Sequence, residues 1–249
     1  MTTHVDGSQL SGKAKEAFVE EMFDNIAVPY DRLNRVCSFW RDGAWRRRLV
    51  RMIGLKSGHV AVDLGTGTGD LALSMLPVVG EGGRVIGIDL SSKMLNVARS
   101  KFAAIGAEAT NYTLTIGNAE ATGLDSNSAD VITMGWVLRN VGNRDAVYQE
   151  VLRVLKPGGR FGIIEMSQPD NRLLRFLSRL YIRVVMPLLI RMVGGRGDAY
   201  DYLASSTLKF PMKDSLTREW RDAGLQRVQS HSLMFGSIAI HVGTKENTE

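Results

Sequence analysis

The sequence predicts an α/β protein in which helices cover both faces of a doubly wound, mostly parallel, seven-stranded sheet. Short apolar runs alternate with amphipathic helical segments between residues 60 and 165. The first apolar run ends in a glycine-rich turn that leads into a helix. Near the end of the chain, two alternating segments are only a few residues apart. Such a short connection permits only an antiparallel pair, so we expect the last strand to lie antiparallel to the others.

Composition indicates a soluble globular protein, and we expect one domain over residues 1–249. Hydrophobic residues make up 44% and charged residues 23% of the chain. The net charge of +5 would suit nucleic acid or an anionic membrane. Cys37 is the single cysteine, and no Cys/His cluster has metal-ligand spacing. No signal peptide and no apolar run of about 18 residues is evident, so we predict a cytoplasmic protein, peripheral on the membrane at most.

Residues 1–57 precede the first strand and are predicted to form a helical extension. The stretch 13–52 has helical periodicity, many aromatic residues and the arginines Arg46, Arg47, Arg48 and Arg51. Ordinary helix packing with a solvated basic face is one interpretation, and a cover over a cofactor site is the other. Tyr30 follows Pro29, at a break where polar groups can face a pocket.

The first strand, Val60–Leu64, runs into Gly65, Gly67 and Gly69, which allow a tight turn against a ligand. Asp70 occupies the place of the third glycine of the dinucleotide fingerprint. S-adenosylmethionine suits this loop better, because it has no pyrophosphate to bind. A tight turn in another α/β fold is the alternative. Asp63 and Thr68 are further candidate cofactor contacts.

Polar residues then follow the next strands, after a helix predicted over residues 70–79. A strand over 84–88 ends in Asp89, where nucleotide sites place a carboxylate for ribose hydroxyls. Ser91 is a predicted N-cap for a helix over 93–105. A strand over 112–116 leads to Asn118 and Ala119, which could contact adenine, although an ordinary strand-to-loop turn is also consistent with these residues.

A fourth strand over 129–134 is followed by Gly135 and then by Arg139 and Asn140. A helix over 145–155 should stop at the Lys-Pro-Gly-Gly turn, and a fifth strand over 160–164 should end at Glu165. The final antiparallel pair is predicted over 226–232 and 237–244. These strand ends place the candidate residues on one edge of the sheet.

Residues 171–204 form an insert before the last two strands. Its arginines recur at helical spacing beside a wide apolar surface; they are Arg172, Arg175, Arg179 and Arg183. Pro187 should kink or end the helix. The insert could be a helix packed on the domain with its arginines in solvent. Alternatively, it is a lid that touches anionic lipid and shelters a long apolar substrate.

With these residues in place, the chain resembles class I S-adenosylmethionine-dependent methyltransferases, and more closely the ubiquinone/menaquinone biosynthesis C-methyltransferase family. The likeness covers nearly the whole chain after the first dozen residues. Four motifs carry it: Tyr30-Asp31-x-Leu-Asn34-x-x-x-Ser38 with Trp45, the loop over 62–71, Leu138-Arg139-Asn140-Val141, and Arg153-Val-Leu-Lys-Pro-Gly-Gly-Arg160 with Glu165. It departs from the family pattern at Asp42, where the family has histidine, and at Gly135, where serine is common.

The resemblance implies a Rossmann-like fold and methylation of a prenylated quinol ring carbon, as in the conversion of demethylmenaquinol to menaquinol. It implies a quinol held near Tyr30, Arg139 and Asn140. We expect Arg139 to stabilise a phenolate, with a structural salt bridge as the alternative. Asp31, Asp42 and Glu165 are candidate bases.

Two other functions stay open at this stage. The chain could methylate another lipophilic acceptor, such as a sterol, a phospholipid amine or a phenol. It could also be a non-catalytic protein that binds S-adenosylmethionine or nucleic acid. We expect no nucleic-acid partner, because the arginines of the insert interleave with aliphatic residues rather than with stacking aromatics. The sequence does not distinguish benzoquinols from naphthoquinols and does not indicate an oligomeric state.

Overall fold

A seven-stranded sheet forms the centre of the molecule. The computed structural model describes residues 10–106, 111–192 and 197–247. Its strands are β1 (Val60–Leu64), β2 (Arg84–Asp89), β3 (Tyr112–Ile116), β4 (Ala129–Gly135), β5 (Leu155–Met166), β6 (Gln226–Leu233) and β7 (Ile238–Thr244). They lie in the order β3-β2-β1-β4-β5-β7-β6. The pairs among β1 to β5 are parallel, and β7 is antiparallel to both of its neighbours, which confirms the predicted topology.

Helices cover both faces of this sheet. They are α1 (Gly12–Ile26), α2 (Tyr30–Cys37), α3 (Asp42–Met52), α4 (Asp70–Val79), α5 (Ser92–Ala104), α6 (Arg144–Val154), α7 (Arg172–Leu180), α8 (Met186–Met192), α9 (Gly197–Lys209) and α10 (Lys213–Asp222). Successive side chains of a strand point to opposite faces. Accordingly, Val62 packs in the core beneath α6 and α10, whereas Ala61 packs in the core beneath α3 and α4.

The N-terminal extension is helical, as predicted, and it closes over the carboxyl edge of the sheet. Leu33 of α2 and Ile26 of α1 form a third apolar cluster with Met94 of α5 and with Ile182 and Met186 of the insert. Burying aliphatic side chains of this size stabilises the fold by roughly 1.5–3 kcal/mol each. The extension and the insert therefore meet above the strand ends and enclose the space between them.

Two local features differ from the sequence prediction. Helix α6 ends at Val154 rather than at residue 155, because Leu155 already has extended dihedral angles and pairs with Ala129 of β4. In the insert, Pro187 is predicted to kink or end the helix; the helix does not end there, but its geometry changes just before Pro187. A π-helical turn, Tyr181–Val185, precedes α8. We attribute this turn to Pro187, which lacks an N–H and crowds the carbonyl four residues earlier.

Candidate active site

The glycine loop, residues 65–69, leaves β1 at the carboxyl edge of the sheet and lines a narrow cavity. Gly65 and Gly67 have φ angles of 64° and 56°, which suit glycine because it carries no Cβ. A Cβ on Gly65 would lie 2.4 Å from a methyl group of Val137. At Gly67, by contrast, such a Cβ would have nothing within 4 Å. The backbone at Gly67 is therefore open to a ligand.

The Asp89 carboxylate ties this loop to the end of β2. Its Oδ2 accepts a hydrogen bond from the Gly67 N–H at 2.7 Å, and its Oδ1 accepts one from the Ser91 N–H at 2.8 Å. Burial raises the pKa of Asp89, and these two N–H groups offset part of that rise. Each carboxylate oxygen has a second acceptor position. Asp89 can therefore accept a ligand hydroxyl as well.

Most of the predicted cofactor residues meet in this cavity. Its lining includes Gly65, Gly67, Asp89, Asn118, Ala119 and Gly135. Asp63, Thr68 and Gly69 lie outside that lining. Buried Asp63 accepts hydrogen bonds from the hydroxyls of Thr66 and Thr133 at 2.8 and 2.7 Å, and burial raises its pKa to about 6. These three residues belong to β1 and the glycine loop but do not line the cavity.

The charge of this lining favours S-adenosylmethionine over a dinucleotide. Among the described residues it includes the acidic Glu16, Glu20, Asp89 and Glu120, and neither lysine nor arginine. A pyrophosphate would be repelled here, whereas a sulfonium and an ammonium group would be attracted. Together with the open backbone at Gly67, this lining fits the predicted cofactor.

A second, larger cavity of about 400 Å³ adjoins the first and is mostly apolar. Its walls come from α1, α2, the insert and the connection between β6 and β7. Four residues line both cavities, namely Phe23, Tyr30, Trp136 and Asn140. Two molecules bound in these cavities would therefore meet at a common wall.

The predicted catalytic residues Tyr30, Arg139 and Asn140 all line the larger cavity. The Arg139 side chain is buried, and its Nη1 lies 2.5 Å from Glu165 Oε1 and donates to the Trp136 carbonyl at 2.8 Å. The salt bridge held open as an alternative role for Arg139 is thus present. In the part of the chain described, Arg139 Nε and Asn140 Oδ1 are buried without a hydrogen-bond partner. One donor and one acceptor therefore remain at the cavity wall for a ligand.

The three candidate bases lie in different places. Glu165 is occupied by Arg139, and Asp31 accepts a hydrogen bond from the Thr68 hydroxyl at 2.5 Å. Of the residues described, Asp42 is the carboxylate that lines the larger cavity. Although burial opposes ionisation, Arg46 at 2.5 Å lowers the pKa of Asp42. Asp42 is therefore a permanently ionised hydrogen-bond acceptor rather than a strong base.

Several lining residues were missed by sequence reasoning. Leu90 and Ser91 directly follow Asp89, so their position at a strand end could have identified them. Glu16, Val19 and Glu20 belong to α1 and carry no local signal, because only the docking of the extension brings them to the cavity. A solvated basic face is one interpretation of the arginines around Arg46 in the sequence. Arg46 itself is buried, and its guanidinium lies 5.2 Å from the Trp136 ring centroid.

Comparison with known proteins identifies the family of the chain. The model of the ubiE/COQ5 methyltransferase family matches residues 11–245. The chain belongs to this family. A demethylmenaquinone methyltransferase of Symbiobacterium thermophilum is 39% identical over 240 residues, which cover 94% of this chain and 95% of that protein. Another, from Staphylococcus saprophyticus, is 37% identical over 233 residues and is covered to 98% of its length.

Solved structures support the fold of this ubiE/COQ5 family member. An S-adenosylmethionine-dependent methyltransferase of Thermotoga maritima has a TM-score of 0.64 at 19% identity, covering 91% of this chain and 99% of that one. One from Aquifex aeolicus has a TM-score of 0.59 at 21% identity, covering 80% and 88%. Membership of this methyltransferase family confirms the predictions of a methyltransferase and of S-adenosylmethionine as its cofactor, and the structural neighbours confirm the fold.

Two features are absent from the described residues. None of the helices described in this family member is long and apolar enough to cross a membrane. No group of three or more histidine, cysteine, aspartate or glutamate side chains in the described ranges could hold a metal ion.

Proposed function

We propose that this protein methylates a ring carbon of a prenylated quinol, with demethylmenaquinol as the first candidate. The observation that carries the proposal is the apolar cavity that adjoins the acidic one and is lined by Arg139 and Asn140, whose Nε and Oδ1 have no hydrogen-bond partner among the described residues. A quinol has an apolar tail and hydroxyls that both donate and accept hydrogen bonds, which match this lining. The names of the relatives, demethylmenaquinone methyltransferases, support the same substrate.

In this proposal, the glycine loop, Asp89 and Asn118 hold S-adenosylmethionine, which supplies an electrophilic methyl group when bound. When a ring hydroxyl releases its proton to water, electron density moves to the neighbouring ring carbon. That carbon would take the methyl group, forming a carbon–carbon bond as the bond between the methyl group and the cofactor sulfur breaks and leaves the sulfur neutral. The methylated carbon releases its own proton and regains aromaticity. An oxidised quinone lacks the hydroxyl proton and cannot follow this route.

Arg139 stabilises the phenolate, because its Nε–H is a buried, charged donor without a competing partner among the described residues. Glu165 fixes the guanidinium, and Asn140 orients a hydroxyl. Asp42 accepts a hydrogen bond from a quinol hydroxyl, which a quinone cannot donate. Tyr30, whose pKa is raised by burial, contributes a neutral phenol at the wall between the cavities.

We also propose that the substrate arrives from a membrane surface, because a long prenyl chain partitions into lipid. The exposed apolar side chains of α7 support contact with lipid; they are Leu173, Phe176, Leu177 and Leu180. Two of the four insert arginines are held by neighbouring groups. Arg175 donates to the carbonyls of residues 169 and 170, and Arg179 donates to Gln168.

Methyl transfer from labelled S-adenosylmethionine tests the chemistry. Reduced prenylated naphthoquinols and benzoquinols are compared with a sterol, a phospholipid amine and a simple phenol. Arg139→Lys keeps a cation beside Glu165 but removes the Nε donor, so we expect kcat to fall about a hundredfold while binding of the cofactor product persists. Asn140→Ala should also lower turnover.

Two results would contradict the proposal. Transfer to one of the other acceptors but to no quinol would assign a different substrate. Unchanged turnover in both Arg139→Lys and Asn140→Ala would show that Arg139 and Asn140 take no part in catalysis. S-adenosylhomocysteine binding, measured by calorimetry, is the control that each variant is folded.

A further inference from the structure

Two pairs of bulky residues with strained backbone lie at or next to the wall of the larger cavity. Phe39, Met234 and Phe235 line it, and Trp40 stands between Phe39 and Arg41 in the chain. Phe39 and Trp40 follow α2 with φ angles of 51° and 59°, and Met234 and Phe235 follow β6 with φ angles of 45° and 55°. Positive φ disfavours residues with large side chains, and such strain concentrates at functional sites. Trp40 is 70% exposed and Phe235 is 82% exposed. The fold thus maintains unfavourable backbone conformations that leave two aromatic side chains in solvent.

An arginine-lined groove of about 400 Å³ adjoins these residues. Arg41, Arg48 and Arg51 line one side, and Met234 and Phe235 line the other. The three arginines lie at or near one face of α3, and all are exposed. No hydrogen bond or ion pair of their side chains occurs within the described parts of the chain. Three positive charges therefore stand unneutralised beside exposed aromatic side chains.

The groove and the cavity opening are continuous, because Met234 and Phe235 line both. On the other side of the opening, the Ser237 hydroxyl donates to the Ser178 hydroxyl of α7 at 3.0 Å, and α7 carries exposed Leu173 and Phe176. The opening of the cavity is thus bordered by apolar side chains on one side and by arginines together with aromatics on the other.

We propose that Trp40, Phe235 and the groove arginines Arg41, Arg48 and Arg51 form a docking surface for a bilayer that contains anionic phospholipids. The guanidinium groups bind lipid phosphates, and the two aromatic side chains enter the interfacial layer, where amphipathic and aromatic rings are favoured. Docking in this way places the opening of the larger cavity against the lipid. Only this last consequence rests on the proposed function; binding to lipid does not.

Flotation with phosphatidylcholine vesicles, with and without phosphatidylglycerol, tests the docking surface on the full chain. We expect binding that requires phosphatidylglycerol. The triple variant Arg41→Glu, Arg48→Glu, Arg51→Glu should weaken it about a hundredfold. A matched triple variant, Arg218→Glu, Arg221→Glu, Arg227→Glu, makes the same charge change on exposed arginines of α10 and the far end of β6. That control should lose far less affinity.

Trp40→Asn separates docking from folding, because asparagine tolerates positive φ better than tryptophan does. We expect it to weaken vesicle binding about tenfold without lowering the melting temperature. Equal loss in the two triple variants, or unchanged binding in both the groove variant and Trp40→Asn, would overturn the proposal.

Activity separates this proposal from the proposed function. The groove variant should methylate a short-tailed quinol in buffer at the rate of the unaltered protein and lose activity on a long-tailed quinol in phosphatidylglycerol vesicles. If the unaltered protein methylates neither quinol but binds vesicles through the groove, the proposed function fails and the docking surface stands. If it methylates both quinols and never binds vesicles, the docking surface is wrong.

Discussion

At the scale of single residues, burial decides what each arginine does. Arg46 and Arg48 are two positions apart on α3, yet Arg46 is enclosed by Asp42, Asp70 and the Trp136 ring, whereas Arg48 is exposed in the groove. Arg139 is buried against Glu165, and its Nε has no hydrogen-bond partner among the described residues. A buried guanidinium needs a carboxylate partner, and the donors left after pairing are those available to a ligand.

Two glycines at the cofactor cavity should differ in their tolerance of a side chain. Gly65→Ala places a Cβ 2.4 Å from Val137 at a positive φ, so we expect loss of S-adenosylhomocysteine binding of at least about tenfold. Gly135→Ser restores the residue typical of the family, and its Cβ would lie 3.4 Å from Leu71. Calorimetry should find nearly unchanged S-adenosylhomocysteine binding for Gly135→Ser. Weaker binding by Gly135→Ser than by Gly65→Ala would contradict these roles of the two glycines.

His241 should make the fold sensitive to mild acid. Its ring lies 5.7 Å from that of Trp220, its Nε2 donates to the Lys213 carbonyl at 3.0 Å, and burial lowers its pKa from 6.5 to about 4. The unfolded chain binds the proton more readily, so the contribution of His241 to stability is full above pH 6.5 and falls by about 3 kcal/mol between pH 6.5 and 4. Buried Asp63, whose pKa is raised to about 6, acts in the opposite direction over much of this range, so the effect of His241 is read from the difference between a variant and the unaltered protein.

Urea denaturation across this pH range measures the effect. His241→Gln keeps a donor for the carbonyl but does not titrate, so its stability should rise relative to that of the unaltered protein as the pH falls from 6.5 to 4. The exposed His231→Gln is the control and should retain the full pH dependence. Identical profiles for all three proteins would show that another group is responsible.

At the scale of elements, an ion-pair network attaches the N-terminal extension to the glycine loop. Lys101 of α5 contacts Asp31 of α2 and, at 2.5 Å, Asp70 at the start of α4. The Thr68 hydroxyl donates to Asp31 at 2.5 Å. Arg46 of α3 reaches Asp70 at 3.4 Å. The predicted cover over the cofactor cavity is therefore linked to the loop by charge as well as by apolar packing.

Lys101→Met should loosen this attachment, because it leaves the carboxylates of Asp31 and Asp70 without their shared cation. We expect the KM for S-adenosylmethionine to rise about tenfold and hydrogen exchange in α2 to accelerate. Lys93→Met is the matched control on the same helix, since Lys93 is well exposed and lies 3.6 Å from Asp24. Equal effects of the two substitutions would exclude a specific role for the network.

At the scale of the whole molecule, both cavities lie where the extension meets the carboxyl edge of the sheet, and the insert closes the larger one. Ligands bound there contact separate parts of the chain at once. The wall residues show this: Phe23 and Tyr30 come from the extension, and Trp136 and Asn140 follow β4. Binding of the cofactor should therefore stabilise the extension and the sheet together.

S-adenosylhomocysteine at about a hundredfold excess over its dissociation constant should stabilise the fold by about 2.7 kcal/mol and raise the melting temperature by roughly 5–10 °C. Differential scanning calorimetry measures the shift, and hydrogen exchange should slow in α1 as well as in the glycine loop. Protection confined to the loop would mean that α1 does not close over the ligand. Gly65→Ala is the control, and its melting temperature should respond far less.

The sequence by itself determined the sheet, its reversed last strand and several residues that line the narrow cavity at the strand ends. These follow from local patterns: an apolar run makes a buried strand, and a polar residue directly after it lies at the ligand-binding edge. Asp89 and Asn118 were found in this way. The N-cap at Ser91 is likewise local, and its Oγ accepts a hydrogen bond from Met94.

Only the tertiary structure decided which side chains pair and which are left for a ligand. Glu165 and Arg139 are 26 residues apart, and their salt bridge depends on β5 lying beside β4. The same holds for Asp42, whose place in the cavity depends on how α3 docks, and for Phe235, which borders both groove and cavity. Contacts between distant segments have no local signature, because they arise from the packing of whole elements against one another.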